Sequence, residues 1–423
     1  MAHPVGGVAT PQVPGRLTVT TIAASTLLLD DALVGPGWVT VQGTTISAVG
    51  SGNPPQPADV RLEGGVLAPG LVDLQINGAF GYDLASADRD GWQAIARRLP
   101  STGVTAFVPT VITAPVDALV ATVRRYRDLR DDLDEGARSL GLHLEGPFLA
   151  EGRRGAHAAE HLCDPTTERV DRLLGAGGED LAYVTLAPER AGAIAAIERF
   201  VGAGVRVSIG HSDATDAQVA TAADAGASLV THLFNAQRPL HHRDPGVVGA
   251  ALADPRLTLG LIVDGHHVAP TAVRATFAAA AGRTALVTDA ISALGMPPGT
   301  YDLGGARTHV RDDGLPVRDD GTIAGSVLRL DAAIAGTIHA GVDPALALTA
   351  ATRVPADAIG RPDLGRLAPD AAADLVWWVD GRARATWVRG ELVHGDPPSA
   401  GDAVRSAEPG TSPTTEPGWI GDR

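Results

Sequence analysis

The sequence contains no lysine; all 34 residues of its lysine-plus-arginine total are arginine. That absence removes whole mechanisms. Schiff-base aldolases and pyridoxal-phosphate enzymes need a lysine amine, and a phosphate-binding P-loop needs its lysine. A carboxylated lysine bridging two metal ions is equally impossible, so any metal must be held by carboxylates and histidines. Cysteine is almost missing too: Cys163 stands alone, which excludes an intrachain disulfide and fits a reducing, cytoplasmic setting. No uninterrupted apolar run reaches the ~18 residues of a membrane span. The N-terminus has no basic region followed by a long apolar segment, so no secretory signal is expected. Positive charge is in deficit, and a net charge of −15 argues against nucleic acid or an anionic membrane as partner. A local cluster of arginine and histidine can still attract a small anion.

What is present fits a large core. Hydrophobic residues make up 44% of the 423 positions against 20% charged, enough for one large barrel plus a smaller domain. Residues 1–16 are rich in glycine, proline and valine and are expected to be disordered, as is the Pro/Ser/Glu-rich tail 397–423. From Leu17 the runs LTVTTIAASTLLL, GWVTVQGTTISAVG and DVRLEGGVLAP alternate like short strands between turns. ADLVWWVD, ATWVRG and ELVHG repeat that style from Ala373 to Gly395. The two ends pair most economically into one discontinuous β-sandwich domain, residues 17–68 and 364–396, flanking a barrel over 69–363.

Within 69–363, strand-like runs fall near 71–76, 104–109, 140–145, 182–186, 205–210, 228–233, 258–263 and 284–289. Helical periodicity separates them at 91–99, 116–131, 190–202 and 214–225, the alternation of a (β/α)8 barrel. The stretch 300–325, with DDG twice and few apolar residues, reads as a hairpin excursion.

Where four of these apolar runs end stands a residue of a type able to bind metal or carry a proton: Glu145, His211, His232 and Asp289. In a barrel such ends form one rim, so distant residues converge on one pocket. Taken alone, Glu145 in HLEGPF reads equally as a metal ligand or as half of a rim salt bridge. His143, two residues earlier, reads as core or as support for a ligand. His211 in GHSDAT and His232 in THLFNA strengthen the metal reading, because zinc accepts two nitrogens and one oxygen and leaves a position for water. Ser212 or Asp213 is expected to cap the helix after His211. Asp289, in TDA, is placed to carry a proton. Strand one offers Gln75 and Asn77, where a two-metal barrel would carry His-x-His, so one metal is expected. Arg238, His241, His242 and Arg243 in RPLHHRDPG, with His266 and His267 in DGHHV, form either a phosphate site or a solvated basic loop.

These words resemble, in this order, those of the amidohydrolases, and among them the N-acetylglucosamine-6-phosphate deacetylase family. The resemblance runs from PGLVDLQING at 69–78 to GRLAPDAAADLVWWV at 365–379 and takes in GAH at 155–157 and AGS at 324–326. It implies an α/β fold, a (β/α)8 TIM-like barrel with a small β-sandwich from both termini, in a cytoplasmic homodimer. It implies that Glu145, His211 and His232 hold one divalent ion per subunit, Zn2+ first and Fe2+, Co2+ or Mn2+ as alternatives, with Gln75 near it. Asp289 would activate water and protonate the amine, and His157 would polarise the acetyl carbonyl or orient the sugar. Asn77, Asn235, Ala236, Ala324, Gly325 and His267 would contact the substrate. Arg243, reaching the neighbouring subunit's site, and His267 would hold the 6-phosphate. Gln237 and Arg238 depart from the family's apolar-Pro pair, and Phe234 replaces its tyrosine.

The implied activity is hydrolysis of N-acetyl-D-glucosamine 6-phosphate, in amino-sugar catabolism and cell-wall recycling. Rival readings are an N-acetylgalactosamine-6-phosphate deacetylase, another N-acyl or cyclic-amide hydrolase, and a metal-free sugar-binding scaffold.

Overall fold

The computed structural model describes residues 19–398. The disorder expected for residues 1–16, and for the tail from 399 onward, lies outside them. Eight parallel strands form the barrel: β1 (Leu71–Ile76), β2 (Val104–Ile112), β3 (Leu142–Glu145), β4 (Leu181–Leu186), β5 (Arg206–Ile209), β6 (Leu229–Val230), β7 (Thr258–Leu261) and β8 (Thr284–Leu286). They are hydrogen-bonded in chain order. Every residue of β1, β2 and β4 is buried, as strands covered on both faces must be.

The expected helices are present at Arg89–Arg98, Val116–Leu129, Ala193–Gly202 and Asp216–Asp224. The last is capped by Thr215 in a reciprocal capping box with Gln218, not by Ser212 or Asp213. Both of those residues are engaged elsewhere, as described below. The excursion forms a three-stranded antiparallel unit from Gly299–Leu303, Ala306–Val310 and Pro316–Val317.

Strands β6 and β8 stop well short of the expected 233 and 289. The backbone explains this. His232 has φ 27° and Asp289 φ 50°, left-handed values that break the extended geometry of a regular ladder.

The ends of the chain meet in a sandwich of two sheets. One orders Thr45–Ser51, Gly37–Gln42, Val19–Ala24 and Val60–Leu62. In the other, Leu375–Val379 from the C-terminal part pairs antiparallel with Val66–Pro69 from the N-terminal part. Ile22, Leu27, Val39, Leu67, Leu375 and Trp387 fill the space between them. Among the described residues no helix is long and apolar enough to cross a membrane.

Barrel closure between β8 and β1 is not a regular ladder. Asp289 N–H donates to the Gln75 carbonyl at 2.9 Å, and Asn77 N–H donates to the Ala290 carbonyl at 2.7 Å. The Asp73 side chain completes the seam. Its Oδ2 accepts from the Thr288 hydroxyl at 2.6 Å, and its Oδ1 accepts from the Thr288 and Gln75 N–H groups at 3.2 Å each.

Burial pushes the Asp73 carboxyl up to about 7, and hydrogen bonds from Thr288 and Gln75 only partly oppose that rise. The folded state therefore binds this proton more tightly than the unfolded chain, whose aspartate titrates near ~3.9. Its contribution is intact below that value and is lost as pH rises to about 7. Asp73→Asn can keep the seam bonds without the charge. Its melting temperature relative to the parent protein should climb between about pH 5 and about pH 7 and level off above. A difference that stays constant over that range contradicts the assignment.

Candidate metal centre and active site

Glu145 ends β3 still in strand geometry, with 2% of its surface exposed. Its Oε1 lies 3.1 Å from His211 Nε2 and 2.9 Å from His232 Nε2, and the two ring nitrogens lie 3.1 Å apart. His211 Nδ1 lies 2.9 Å from the Arg153 carbonyl, which can only accept, so the proton of the neutral ring sits on Nδ1. A lone pair on His211 Nε2 then faces a carboxylate oxygen and a second imidazole nitrogen. Electron pairs converge there, a donor set suited to a divalent cation. Among the described residues no arginine pairs with Glu145, so the salt-bridge reading of that residue does not hold. Burial alone would raise the Glu145 carboxyl, but the two imidazoles facing it, His211 and His232, outweigh that and hold it well below the usual range.

Asp289 faces this cluster across an amide bridge. Gln75 Nε2 donates to Glu145 Oε1 at 3.3 Å and to Asp289 Oδ1 at 3.1 Å. Asn77 Nδ2 donates to the same Oδ1 at 2.7 Å, which leaves Oδ2 as the oxygen free to exchange a proton. Burial, and then the Glu145 charge, push the Asp289 carboxyl up to about 6. On the far side His157 Nε2 lies 4.0 Å from Glu145 Oε2. The Thr113 N–H donates to His157 Nδ1 at 3.3 Å, placing the ring proton on Nε2, toward the centre. Burial depresses the His157 pKa well below the ordinary value, so the ring stays neutral and keeps that single donor.

The three elements that deliver His211, His232 and Asp289 share one device. Each residue has a left-handed backbone, with φ of 47°, 27° and 50°. Such conformations cost ~1–3 kcal/mol and persist only where the surroundings over-determine them. After His211, the Glu189 carboxylate accepts from the Ser212 hydroxyl at 2.7 Å and from the Asp213 N–H at 2.6 Å. Around Asp289, Ser326 donates from N–H to the Asp289 carbonyl at 2.8 Å and from its hydroxyl to the Thr288 carbonyl at 2.6 Å.

A cavity of about 370 Å3 opens above the cluster. Asn77, His157, Asn235, Ala236, His267 and Gly325 line it, together with the cluster and Asp289. His267 Nδ1 is tied to Asp264 Oδ2 at 2.6 Å. Ala324 is buried just behind, against Ile112, Ile291 and Leu303. Arg243 is not brought to this cavity by its own chain: it is exposed, on the loop with His241 and His242. Arg238 is held by Asp244 at 2.5 Å rather than left free for an anion. His143 is core: its ring stacks on Tyr183 at 3.8 Å and bonds Thr110 and Thr185 at 3.0 and 2.8 Å.

Sequence reasoning missed Thr113, Glu189 and Asp73, and it missed the wall that the excursion supplies through Leu303, Thr322 and Ile323. The available signal was an acidic residue inside one buried strand, Asp73, and another just after a second, Glu189, where a carboxylate needs partners.

The amidohydrolase family model matches residues 66–396. The chain is 37% identical over 354 residues to N-acetylglucosamine-6-phosphate deacetylase of Vibrio furnissii, covering 82% of this chain and 88% of that protein. It is also 37% identical over 331 residues to N-acetylgalactosamine-6-phosphate deacetylase of Escherichia coli O157:H7, covering 78% and 88%. A solved structure of a mutant N-acetyl-D-glucosamine-6-phosphate deacetylase from Mycobacterium smegmatis, in complex with N-acetyl-D-glucosamine-6-phosphate, superposes with a TM-score of 0.84 at 37% identity. It covers 89% of this chain and 99% of that one.

Gly325 tests how tightly Asp289 is clamped. It has φ 64°, and an added Cβ would lie 2.5 Å from Ile291 Cγ2 and 2.7 Å from the Asp289 carbonyl oxygen. Gly325→Ala should destabilise by on the order of 2 kcal/mol, read as a lower melting temperature. Gly152→Ala, at the cavity mouth with nothing within 4 Å, should leave melting unchanged. Equal melting of the two variants would contradict this packing.

Proposed function

The chain belongs to the amidohydrolase family, and we propose that it hydrolyses the N-acetyl group of N-acetyl-D-glucosamine 6-phosphate, giving D-glucosamine 6-phosphate and acetate. One observation carries the reading: Glu145, His211 and His232 converge beside Asp289 on the floor of a single cavity. The curated relatives and the ligand-bound structural neighbour support the choice of substrate.

Glu145, His211 and His232 would hold one divalent ion per subunit, with Zn2+ favoured by the nitrogen-rich set and Fe2+, Co2+ or Mn2+ next. When bound, such an ion polarises the amide carbonyl and lowers the pKa of a water toward ~7. The protein's own groups do the rest. Asp289 Oδ2 takes the proton as the water oxygen bonds to the acetyl carbon. His157 Nε2–H donates to the carbonyl oxygen as negative charge develops on it. Asp289 then returns the proton to the amine nitrogen as the C–N bond breaks. Its raised pKa suits both halves of that exchange. Asn77, Asn235, Ala236, Gly325 and the Ala324 segment would orient the sugar, and His267, braced by Asp264, would bind the phosphate.

Arg243 is exposed and does not line its own cavity, which fits a role at the phosphate site of the neighbouring copy in a cytoplasmic homodimer. The relative of Escherichia coli O157:H7 matches at the same identity as the Vibrio furnissii one, so the galacto epimer is the second reading.

The test is an acetate-release assay on both 6-phosphates and on the unphosphorylated sugars, before and after chelation and metal readdition. N-acetyl-D-glucosamine 6-phosphate should be the best substrate, and its phosphate-free form at least about 100-fold worse in kcat/KM. Asp289→Asn should lower kcat by about 10²–10⁴-fold while metal content stays at the parent level. Parent-like turnover in that variant would remove Asp289 from the chemistry. Indifference to phosphate would sink the Arg243 and His267 assignments.

A further inference from the structure

The two histidine loops meet at Gln237. Its backbone runs beside the loop leaving β5: Ser212 and Gln237 form a parallel bridge, and Ser212 N–H donates to the Ala236 carbonyl at 3.2 Å. Arg238 N–H returns a bond to the Ser212 carbonyl at 2.9 Å. The Gln237 side chain reaches the other loop, where Nε2 donates to the Thr231 carbonyl at 2.6 Å. Ser212 directly follows His211, and Thr231 directly precedes His232. The backbone of 236–238 is thus bonded to the residue after His211, and the Gln237 side chain ties that same segment to the residue before His232.

The amide is an expensive choice for that position. Gln237 is 3% exposed, and its Oε1 is buried without a hydrogen-bond partner among the described residues. A buried acceptor without a partner carries a desolvation penalty that an apolar side chain of the same length would avoid. Turning the amide over gives no relief, because Oε1 would then face the Thr231 carbonyl. What the residue contributes is the single bond to Thr231. Thr231 cannot absorb a displacement there by rotating away: its hydroxyl lies 2.7 Å from Thr185 Oγ1 and 2.6 Å from Ser208 Oγ inside the barrel. Position fixed at Thr231 is passed on to His232.

We propose that Gln237 is a positioning residue of the metal centre, setting the separation of His211 and His232, whose Nε2 atoms face each other at 3.1 Å. The inference rests on the reading of Glu145, His211 and His232 as a cation site. Gln237 itself touches none of the three ligand atoms. Its effect is on geometry, so metal binding should report it independently of turnover.

Gln237→Met preserves length and removes the donor; Gln237→Asn keeps an amide too short to reach Thr231. Full-length parent and both variants are stripped of metal, then titrated with Zn2+ and with Co2+ against a competing chelator. The visible spectrum of the Co2+-loaded protein and the melting temperature of the metal-free protein are recorded alongside. Both variants should bind Zn2+ about 10–100-fold more weakly and shift the Co2+ bands, while the metal-free melting temperature changes little. Should Gln237→Met fail to fold, Gln237→Asn decides the matter on the same readouts. Parent-like affinity and Co2+ bands in the folded variants overturn the proposal while leaving the cation site standing. A parent protein that binds neither ion overturns the cation site and this inference together.

Discussion

Barrel strands alternate their side chains between the interior and the surrounding helices, so a regular strand offers the centre of the rim only the positions whose register happens to face it. This chain meets the constraint by breaking the pleat. Glu145 reaches the centre from the last position of β3, still in strand geometry. His211, His232 and Asp289 do so only after the backbone has turned left-handed. Each turn leaves strain, and each is clamped by a polar group from another segment: Glu189 beyond His211, Gln237 ahead of His232, Ser326 around Asp289. The rim is a set of over-determined turns resting on a rigid barrel, which suits a site that must keep its geometry when a ligand arrives.

The seam between first and last strands carries the same logic into the rest of the fold. Asp73 on β1 holds Thr288, and Thr288 precedes Asp289. The strand Val66–Pro69 belongs to the sandwich and leads through Gly70 into β1. Gly70 has no space for a side chain, since an added Cβ would lie 2.1 Å from Thr105 Oγ1, and its N–H donates to the Asp374 carbonyl at 2.8 Å. Asp374 in turn pairs with Arg138, beside β2. The small sheet domain thus fixes where β1 begins and, through it, where Gln75 and Asn77 stand beneath Asp289.

Much of this architecture was legible in the residue order. Apolar runs mark buried strands, and a polar residue closing such a run marks a rim position, so Glu145, His211, His232 and Asp289 could be found without coordinates. The alternating runs at both ends of the chain also carry the signature of a shared sandwich. The turns were not legible. Histidine and aspartate enter the left-handed region more often than most residues but still rarely, and nothing local distinguishes His232 from one more residue of β6. The expected strand therefore ran three residues too far, to 233 rather than Val230. Ser212 and Asp213 looked like helix caps because their types suit that role; a carboxylate 23 and 24 positions upstream claims them instead. Long-range partners of this kind leave no periodic trace. The same holds for the wall contributed by Leu303 and Ile323, whose segment reads as a polar excursion until the barrel closes beneath it.

The two amides on β1 show how one substitution of residue type changes the electrostatics of a rim. A histidine pair at Gln75 and Asn77 would turn lone pairs toward Glu145 and Asp289 and create a second electron-rich hollow. The amides instead turn N–H groups toward those carboxylates, at 3.3, 3.1 and 2.7 Å. Positive ends of dipoles occupy the space where a bridging cation would have to sit. A cation placed there would meet Gln75 Nε2–H in place of a ligand, and no lysine exists to be carboxylated into a bridge. The same donors hold Asp289 Oδ1 and leave Oδ2 unencumbered. What disfavours a second ion there also fixes the orientation of the Asp289 carboxyl, so the proposed one-ion centre and its proposed proton carrier rest on the same two side chains.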